Sequence, residues 1–271
     1  MGMRRPIITL TTDFGTGDAF VGSTKGVILG ISPEAVIVDI THEVPPMDIE
    51  SGAYHLANAW QYFPSGAIHV AVVDPGVGSS RRALAVSAGG HLFLAPDNGL
   101  LTHVLSGGDA WRAVSVTEPH YLAPVVSRTF HGRDLFAPAA AHLSRGTALE
   151  NLGPEVLDPV RFPLEAPQAD GAAIRARVLH VDRFGNLVLN LTRTHLVSAG
   201  AGTGPDAIRI EAGGATIDRF VSHYEAAGGA LCCLINSDGR LEIARPGGSA
   251  AETLGISRGA PVLVRLAAPP P

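Results

Sequence analysis

At 271 residues the chain has room for one large domain or two of ordinary size. A formal charge of −5, with 20 Lys and Arg scattered and no basic stripe, excludes a general nucleic-acid binder. The chain is 46% hydrophobic and 17% charged, as in a well-packed globular protein, and no apolar run approaches the roughly 20 residues of a membrane helix.

The N-terminal half alternates strand and helix. Residues 7–12 read as a strand ending on Asp13, residues 19–30 as a helix, and residues 35–38 as a strand ending on Asp39. Residues 48–62 are expected to be helical, with Asp48 as N-cap after Pro45-Pro46. The run Ile68-His69-Val70-Ala71-Val72-Val73 is almost continuously apolar and ends on Asp74. Such a run suits a strand covered on both faces, which is typical of parallel sheets. Residues 82–87 and 91–95 form a hairpin across Gly89-Gly90 that closes on Asp97, and a last helix covers about 134–143. This order predicts an α/β domain over residues 1–160 with a mostly parallel, doubly wound sheet.

Pro154, Pro159, Pro163 and Pro167 then space out a helix-poor stretch, with the linker itself placed at about 161–171. Beyond it the pattern turns to short strands at 174–181, 187–191, 208–211, 230–235, 241–244 and 262–266. Residues 172–271 are therefore expected to form a small all-β domain. The start of the chain runs straight into the first strand, too short for a signal-peptide core. The only cysteines, Cys232 and Cys233, are adjacent and sit in an apolar run, where they read as small core hydrophobes. A cytoplasmic location is the expectation.

Four aspartates, Asp13, Asp39, Asp74 and Asp97, fall at the carboxyl ends of predicted strands. That rim is where open α/β sheets bind ligands, although an aspartate there is also an ordinary turn former. Asp74 opens the turn Pro75-Gly76-Val77-Gly78, with Arg81 seven residues beyond it. Four carboxylates suit a polyhydroxylated ligand, a metal or acid–base work. No HxxxH, HExxH or CxxC spacing occurs, so a metal site would have to combine Asp13 and Asp74 with His131. Gly15-Thr16-Gly17-Asp18 lacks the third glycine of a dinucleotide fingerprint, Lys25 has no Walker loop before it, and no GxSxG elbow is present. His131, in the polar stretch before the last helix, reads as a base, an orienting group or a cap. Asp182-Arg183-Phe184-Gly185-Asn186 and Asn236-Ser237-Asp238-Gly239-Arg240-Leu241-Glu242 read as plain turns or as ligand loops.

Eight motifs in order carry a resemblance: Thr12-Asp13-Phe14-Gly15, Lys25-Gly26, residues 41–46 (THEVPP), residues 74–78 (DPGVG), Pro96-Asp97-Asn98-Gly99, residues 130–134 (FHGRD), Phe184-Gly185-Asn186 and Asn236-Ser237. Together they resemble the S-adenosyl-L-methionine (SAM) hydroxide adenosyltransferases, adenosine-forming SAM hydrolases related to the SAM-dependent fluorinase and chlorinase. The resemblance covers nearly the whole chain. It implies an α/β N-terminal domain, a small β C-terminal domain, a homotrimer, and SAM bound where one subunit's N-domain meets a neighbour's C-domain.

The same resemblance implies a water-activating set of Asp74, Arg81 and His131, with Arg82 adjacent to the chosen arginine. It gives the ribose to Asp13, the adenine to Asn186 with Asp182 and Phe184 beside it, and the methionine end to Ser237, Glu242 and Arg245. No metal or cofactor is implied, SAM being the substrate and adenosine and L-methionine the products. Three departures point from halide to water. The halogenase pattern has tyrosine where Asp74 stands, serine where Gly132 stands, and a long insertion in the 82–95 hairpin. Halide transfer to C5′, a non-catalytic SAM or adenosine sensor, and a metal-dependent nucleoside hydrolase are the rival readings.

Overall fold

The structure is a computed structural model describing residues 5–200 and 208–266. The chain divides into two compact units, Met1–Phe162 and Pro163–Pro271.

In the first unit the elements run β1 (Ile7–Thr12), α1 (Phe20–Ile31), β2 (Val36–Thr41), α2 (Ile49–Ala59), β3 (Ile68–Val72), β4 (Ala83–Ala88), β5 (His91–Pro96), α3 (Thr102–Leu105), β6 (Trp111–Ser115) and α4 (Ala137–Ser144). The six strands form one sheet in the order β2-β1-β3-β5-β4-β6. β2, β1, β3 and β5 are parallel, whereas β4 pairs antiparallel with both β5 and β6. The sheet is thus mixed, with parallel pairing on the β2-β1-β3-β5 side and antiparallel pairing at β4. The strand β6, unmarked by any strong alternation in the sequence, supplies the second antiparallel pairing.

Helices cover both faces. Ala83 and Ala85 of β4 pack with α1 and α4 residues such as Ile28, Ala140 and Leu143, while Leu84 and Val86 pack with Ala53 and Leu56 of α2. The two-residue alternation of a strand sends successive side chains to opposite layers. β3 lies between β1 and β5 and is buried throughout, which accounts for its sequence being apolar apart from His69.

Several boundaries differ from those expected. β2 continues through Ile40 and Thr41, so Asp39 lies inside the strand opposite Leu10 rather than at its end. The register slips there, leaving Ile40 as an extra residue in the manner of a bulge. The α2 helix begins under the Asp48 cap, whose side chain accepts from Ser51 N–H, but gives way to a tighter 3-10 turn at Trp60–Tyr62. The last helix of the unit starts as a single π-turn at Gly132–Phe136 before α4.

In the second unit β7 (Gln168–Asp170), β8 (Ala173–Val181), β9 (Leu187–Thr192), β10 (Ile208–Ala212), β11 (Ala215–Ile217), β12 (Cys232–Ile235), β13 (Arg240–Ala244) and β14 (Pro261–Leu266) form a sheet in the order β11-β10-β14-β8-β9-β13-β12, with β7 added to β8. Their pairings are antiparallel. The all-β expectation is corrected by two short helices, α5 (Arg193–Ser198) and α6 (Ala250–Leu254). Side-chain caps make them possible despite their length: Thr192 and His195 form a reciprocal capping box, and Ser249 accepts from Glu252 N–H. β7 occupies residues expected to be linker. No helix among the described residues is long and apolar enough to cross a membrane.

Candidate active site

Asp13, Asp74 and Asp97 follow the carboxyl ends of β1, β3 and β5, three adjacent parallel strands. They therefore share one rim of the sheet, but they are not equivalent. Asp97 is consumed by structure: one carboxylate oxygen accepts from Arg82 Nε at 2.7 Å and the other from Val160 N–H at 2.7 Å. Arg82 also holds the Asp158 side chain and carbonyl. Asp39 faces Lys25 and His42.

Asp74 is different. Arg81 Nε donates to its two oxygens at 3.0 and 3.1 Å, and Arg81 Nη2 donates to Oδ2 as well. The same Nη2 reaches His131 Nδ1 at 2.7 Å. One guanidinium thus joins a carboxylate from the β3 turn to an imidazole from the start of the π-turn. The Asp74 and Arg81 side chains are only 5% and 10% exposed, so the ion pair is shielded from solvent screening. Arg81 also stacks over the Phe136 ring. Of the two adjacent arginines, Arg81 meets Asp74 and His131, and Arg82 turns to Asp97.

The loops that hold this set are tied together closely. The 74–81 turn is closed by Val77 N–H on Asp74 O and Ser79 N–H on Gly76 O. Gly78, at φ +77°, lies against the backbone of Arg128; a Cβ there would fall 2.2 Å from the Arg128 carbonyl oxygen. Only glycine allows that approach and that conformation. Asp134 organises the facing loop, accepting from Ser127 N–H at 3.0 Å and from Arg133. Asp134 lies in the FHGRD motif, but no site role was read for it; the adjacent Arg133 is the sequence signal that could have suggested one.

The hydrogen bonding fixes the state of His131. An arginine can only donate, so Nδ1 accepts and the neutral ring carries its proton on Nε2. Burial holds His131 below the ordinary histidine range, and the Arg81 charge adds to this against the opposing pull of Asp74 and Asp134. Nε2 is then the donor nitrogen of the ring.

Asp13 lies on the same rim. Its Oδ2 accepts from Met47 N–H at 2.9 Å. Among the described residues no group of three or more His, Cys, Asp and Glu is arranged to hold a metal ion. Asp13, Asp74 and His131 are accordingly not gathered as a ligand set, and Asp74 is already engaged by Arg81.

In the second unit, Asp182 Oδ1 accepts from Phe184 N–H and Asn186 N–H, both at 2.8 Å, and Oδ2 accepts from Asn186 Nδ2. This Asx turn leaves the Phe184 ring 77% exposed on a fixed backbone. Glu242 is buried and accepts from Tyr224 Oη at 2.8 Å and Asn236 Nδ2 at 3.1 Å. Burial raises its pKa above the usual carboxylate value despite those two donors, and the charges of Asp182 and Asp238 push the same way. Tyr224 is a partner that sequence reading missed. Ser237 and Arg245 flank opposite ends of β13, a strand whose five residues span about 17 Å. Arg245 Nη1 donates to Thr253 Oγ1 of α6 at 2.9 Å.

A strand-end carboxylate locked to arginine and to a neutral imidazole defines an α/β enzyme site suited to orienting a small nucleophile. Residues 8–153 match the model for the SAM hydroxide adenosyltransferase N-terminal domain, and residues 176–263 match that for the C-terminal domain of the same family. The chain belongs to the SAM hydroxide adenosyltransferase family. It is 42% identical over 259 residues to the (R)-S-adenosyl-L-methionine hydrolase of Salinispora tropica, covering 94% of this chain and 95% of that protein. A fluorinase from Nocardia brasiliensis is more distant, 30% identical over 300 residues, with 97% of this chain and 98% of that protein covered. Among solved structures, an uncharacterized conserved protein from Thermotoga maritima superposes with a TM-score of 0.89 at 33% identity, covering 96% and 99% of the two chains.

Proposed function

We propose that this enzyme hydrolyses SAM by water attack at C5′, giving adenosine and L-methionine. The observation that carries the reading is the single Arg81 guanidinium bound to both Asp74 and His131. The names of the 37–42% identical relatives support the substrate.

The chemistry asks little of the protein. The sulfonium makes methionine a good leaving group, so an in-line displacement needs a positioned water and a closed pocket. Water donates one hydrogen to Asp74 and receives a hydrogen bond from His131 Nε2–H, which leaves a lone pair free to attack C5′. As the C–O bond forms and the C–S bond breaks, the departing proton passes toward Asp74 and the sulfur keeps the bonding pair as the thioether of methionine. Arg81 holds the two groups at a fixed mutual geometry. A positioned base of this kind contributes about 10²–10⁴-fold. No carbonyl or phosphoryl oxyanion develops, so we propose that neither metal nor cofactor takes part.

Asp13 would bind the ribose diol through its remaining acceptor sites. Asn186, Asp182 and the exposed Phe184 ring would receive the adenine. Ser237, Glu242 and Arg245 would meet the methionine end. These two sets lie in different units, and we propose that a homotrimer brings one copy's first set to a neighbour's second. Two free, buried cysteines accord with a cytoplasmic location.

The deciding assay is incubation of the protein with SAM of defined sulfonium configuration, with chromatography of the products. Adenosine and methionine are expected, unchanged by EDTA. S-adenosylhomocysteine or methylthioadenosine as product would refute the reaction, and loss of turnover in EDTA would refute metal independence. Mixing Asp74→Ala chains with Asn186→Ala chains should restore part of the activity if the site is shared. A fully active monomer by light scattering would refute the sharing.

A further inference from the structure

Behind Asp13 lies a polar chain that the proposed chemistry does not use. His42, whose side chain is only 4% exposed, places Nδ1 2.8 Å from Thr12 Oγ1. Thr12 immediately precedes Asp13. Its hydroxyl oxygen also accepts from the N–H of Phe14, the residue immediately after, at 3.2 Å. The His42 carbonyl accepts from Gly15 N–H at 2.8 Å. One histidine therefore holds the chain on both sides of Asp13, through the Thr12 hydroxyl and the Gly15 N–H.

The far edge of the ring faces a charge. His42 Nε2 stands 3.1 Å from Asp39 Oδ1, off the axis of a good hydrogen bond but within strong electrostatic reach. Asp39 Oδ2 in turn accepts from Lys25 Nζ at 2.6 Å. The extra residue at Ile40 lets Asp39 and His42, three positions apart, turn to the same side. A carboxylate at Nε2 favours the proton on that nitrogen, so Nδ1 is an acceptor and the Thr12 hydroxyl donates to it. The chain then has one direction, from Phe14 N–H through Thr12 and His42 to the Asp39–Lys25 pair.

A second restraint comes from the same loop. Met47 is the sole non-glycine residue at positive φ among the described residues, at 64°, and its N–H is the donor to Asp13 Oδ2. Left-handed backbone crowds the Cβ of an ordinary side chain and is strained for it. Such strain persists where the surroundings over-determine it, commonly at functional sites. Residues 42–48 are pinned at one end by His42 and at the other by the Asp48 cap of α2, and Met47 N–H is held against the carboxylate between them. Buried polar groups such as Thr12 and His42 are costly to maintain where apolar side chains would fill the space, and these two bond to each other beside Asp13.

We infer that His42 is a positioning residue for Asp13, acting through Thr12 and oriented by Asp39 and Lys25. The inference rests on the reading of Asp13 as the ribose-binding carboxylate. It is tested by steady-state SAM turnover in Thr12→Val, which removes the hydroxyl at constant shape, and in His42→Leu and His42→Asn. Thr12→Val and His42→Leu should raise KM about tenfold while kcat per folded molecule stays within about threefold. His42→Asn, which returns an acceptor near the Nδ1 position, should recover most of the loss. In the double variant with Asp13→Asn, Thr12→Val should have little further effect on KM, because the carboxylate it places is gone. A role confined to folding would lower the active fraction and leave KM unchanged, and that result overturns the inference. If His42→Leu does not fold, Thr12→Val with its Asp13→Asn partner decides the matter. A wild-type enzyme that does not turn over SAM defeats the functional reading itself; a wild type that does, with normal KM in Thr12→Val, defeats the inference alone.

Discussion

Asp74 and Asp97 follow the ends of adjacent parallel strands, and each binds one of two consecutive arginines, Arg81 and Arg82. The residue types are the same and the outcomes are opposite. Extended chain sends neighbouring side chains to opposite sides, so the two arginines part company. Arg82 spends its donors on Asp97 and Asp158, and Val160 N–H takes the other Asp97 oxygen, which ties residues 158–160 to the sheet. Arg81 instead leaves a nitrogen for His131. The two ion pairs differ in the side chain each adds: Arg82 adds Asp158, and Arg81 adds His131.

The sharpest way to break that comparison is to remove each carboxylate. Asp74→Ala should lower kcat by two or more orders of magnitude, the scale of a lost general base, and leave SAM binding within about tenfold. Asp97→Ala should do the reverse. It leaves Val160 N–H and Arg82 without their buried acceptor, a loss of about 1–3 kcal/mol in unfolding free energy, with kcat per folded molecule nearly intact. Stopped or steady-state kinetics and urea unfolding on both variants check the contrast. Near-normal turnover in Asp74→Ala would move water activation elsewhere.

Acidification should separate the site from the core by the same logic. His69 is buried between Thr9 and His91, and burial, followed by the His91 charge, lowers its pKa to about 3. The unfolded chain takes up that proton near pH 6.5 while the folded chain refuses it. Stability therefore falls as pH drops from about 6.5 toward 3, by at most about 1.4 kcal/mol per pH unit from this residue. His131 is also held below the ordinary range, so turnover should persist through pH 6.5 and fail at lower pH as a second cation forms beside Arg81. Urea unfolding at pH 7, 6 and 5 measures the first effect; the pH profile of kcat/KM measures the second. A flat stability between pH 6.5 and 5 would mean that His69 is not buried neutral.

Much of this was legible in the chain because it depends on local chemistry. The apolar run ending on Asp74, the proline–glycine turn after it and the Asp48 cap each announce an element through spacing alone. Other features depend on contacts distant in sequence. Nothing in Val36-Ile37-Val38-Asp39 says that the strand will run two residues further, because pairing with β1 decides it. Nothing marks Met47 for left-handed backbone, since methionine has no preference for it. Trp111–Ser115 became an edge strand because β4 offered a free side, which no window of five residues can reveal. The choice between Arg81 and Arg82 needed the position of His131, fifty residues away.

The smallest expected effect concerns water against halide. On the proposed reading, Asp74 presents a carboxylate where a halide would have to shed its hydration. An anion about 4 Å from it is opposed by on the order of 4 kcal/mol at an effective dielectric near 20. Arg81 offsets part of this because it is bound to the same carboxylate and is itself shielded from solvent. A remainder of only ~1.4 kcal/mol still disfavours halide tenfold. Gly132 adds a steric argument: a Cβ there would lie 2.9 Å from the Phe14 ring, so a serine at this position requires the ring to move. In high chloride, and separately in high fluoride, adenosine should remain the main product and turnover should fall less than tenfold. Asp74→Asn, which removes the charge at nearly constant shape, should bind chloride more tightly by up to about tenfold, read as inhibition of the residual turnover. A 5′-halo-5′-deoxyadenosine as main product of the unaltered enzyme would replace the hydrolase reading with halide transfer.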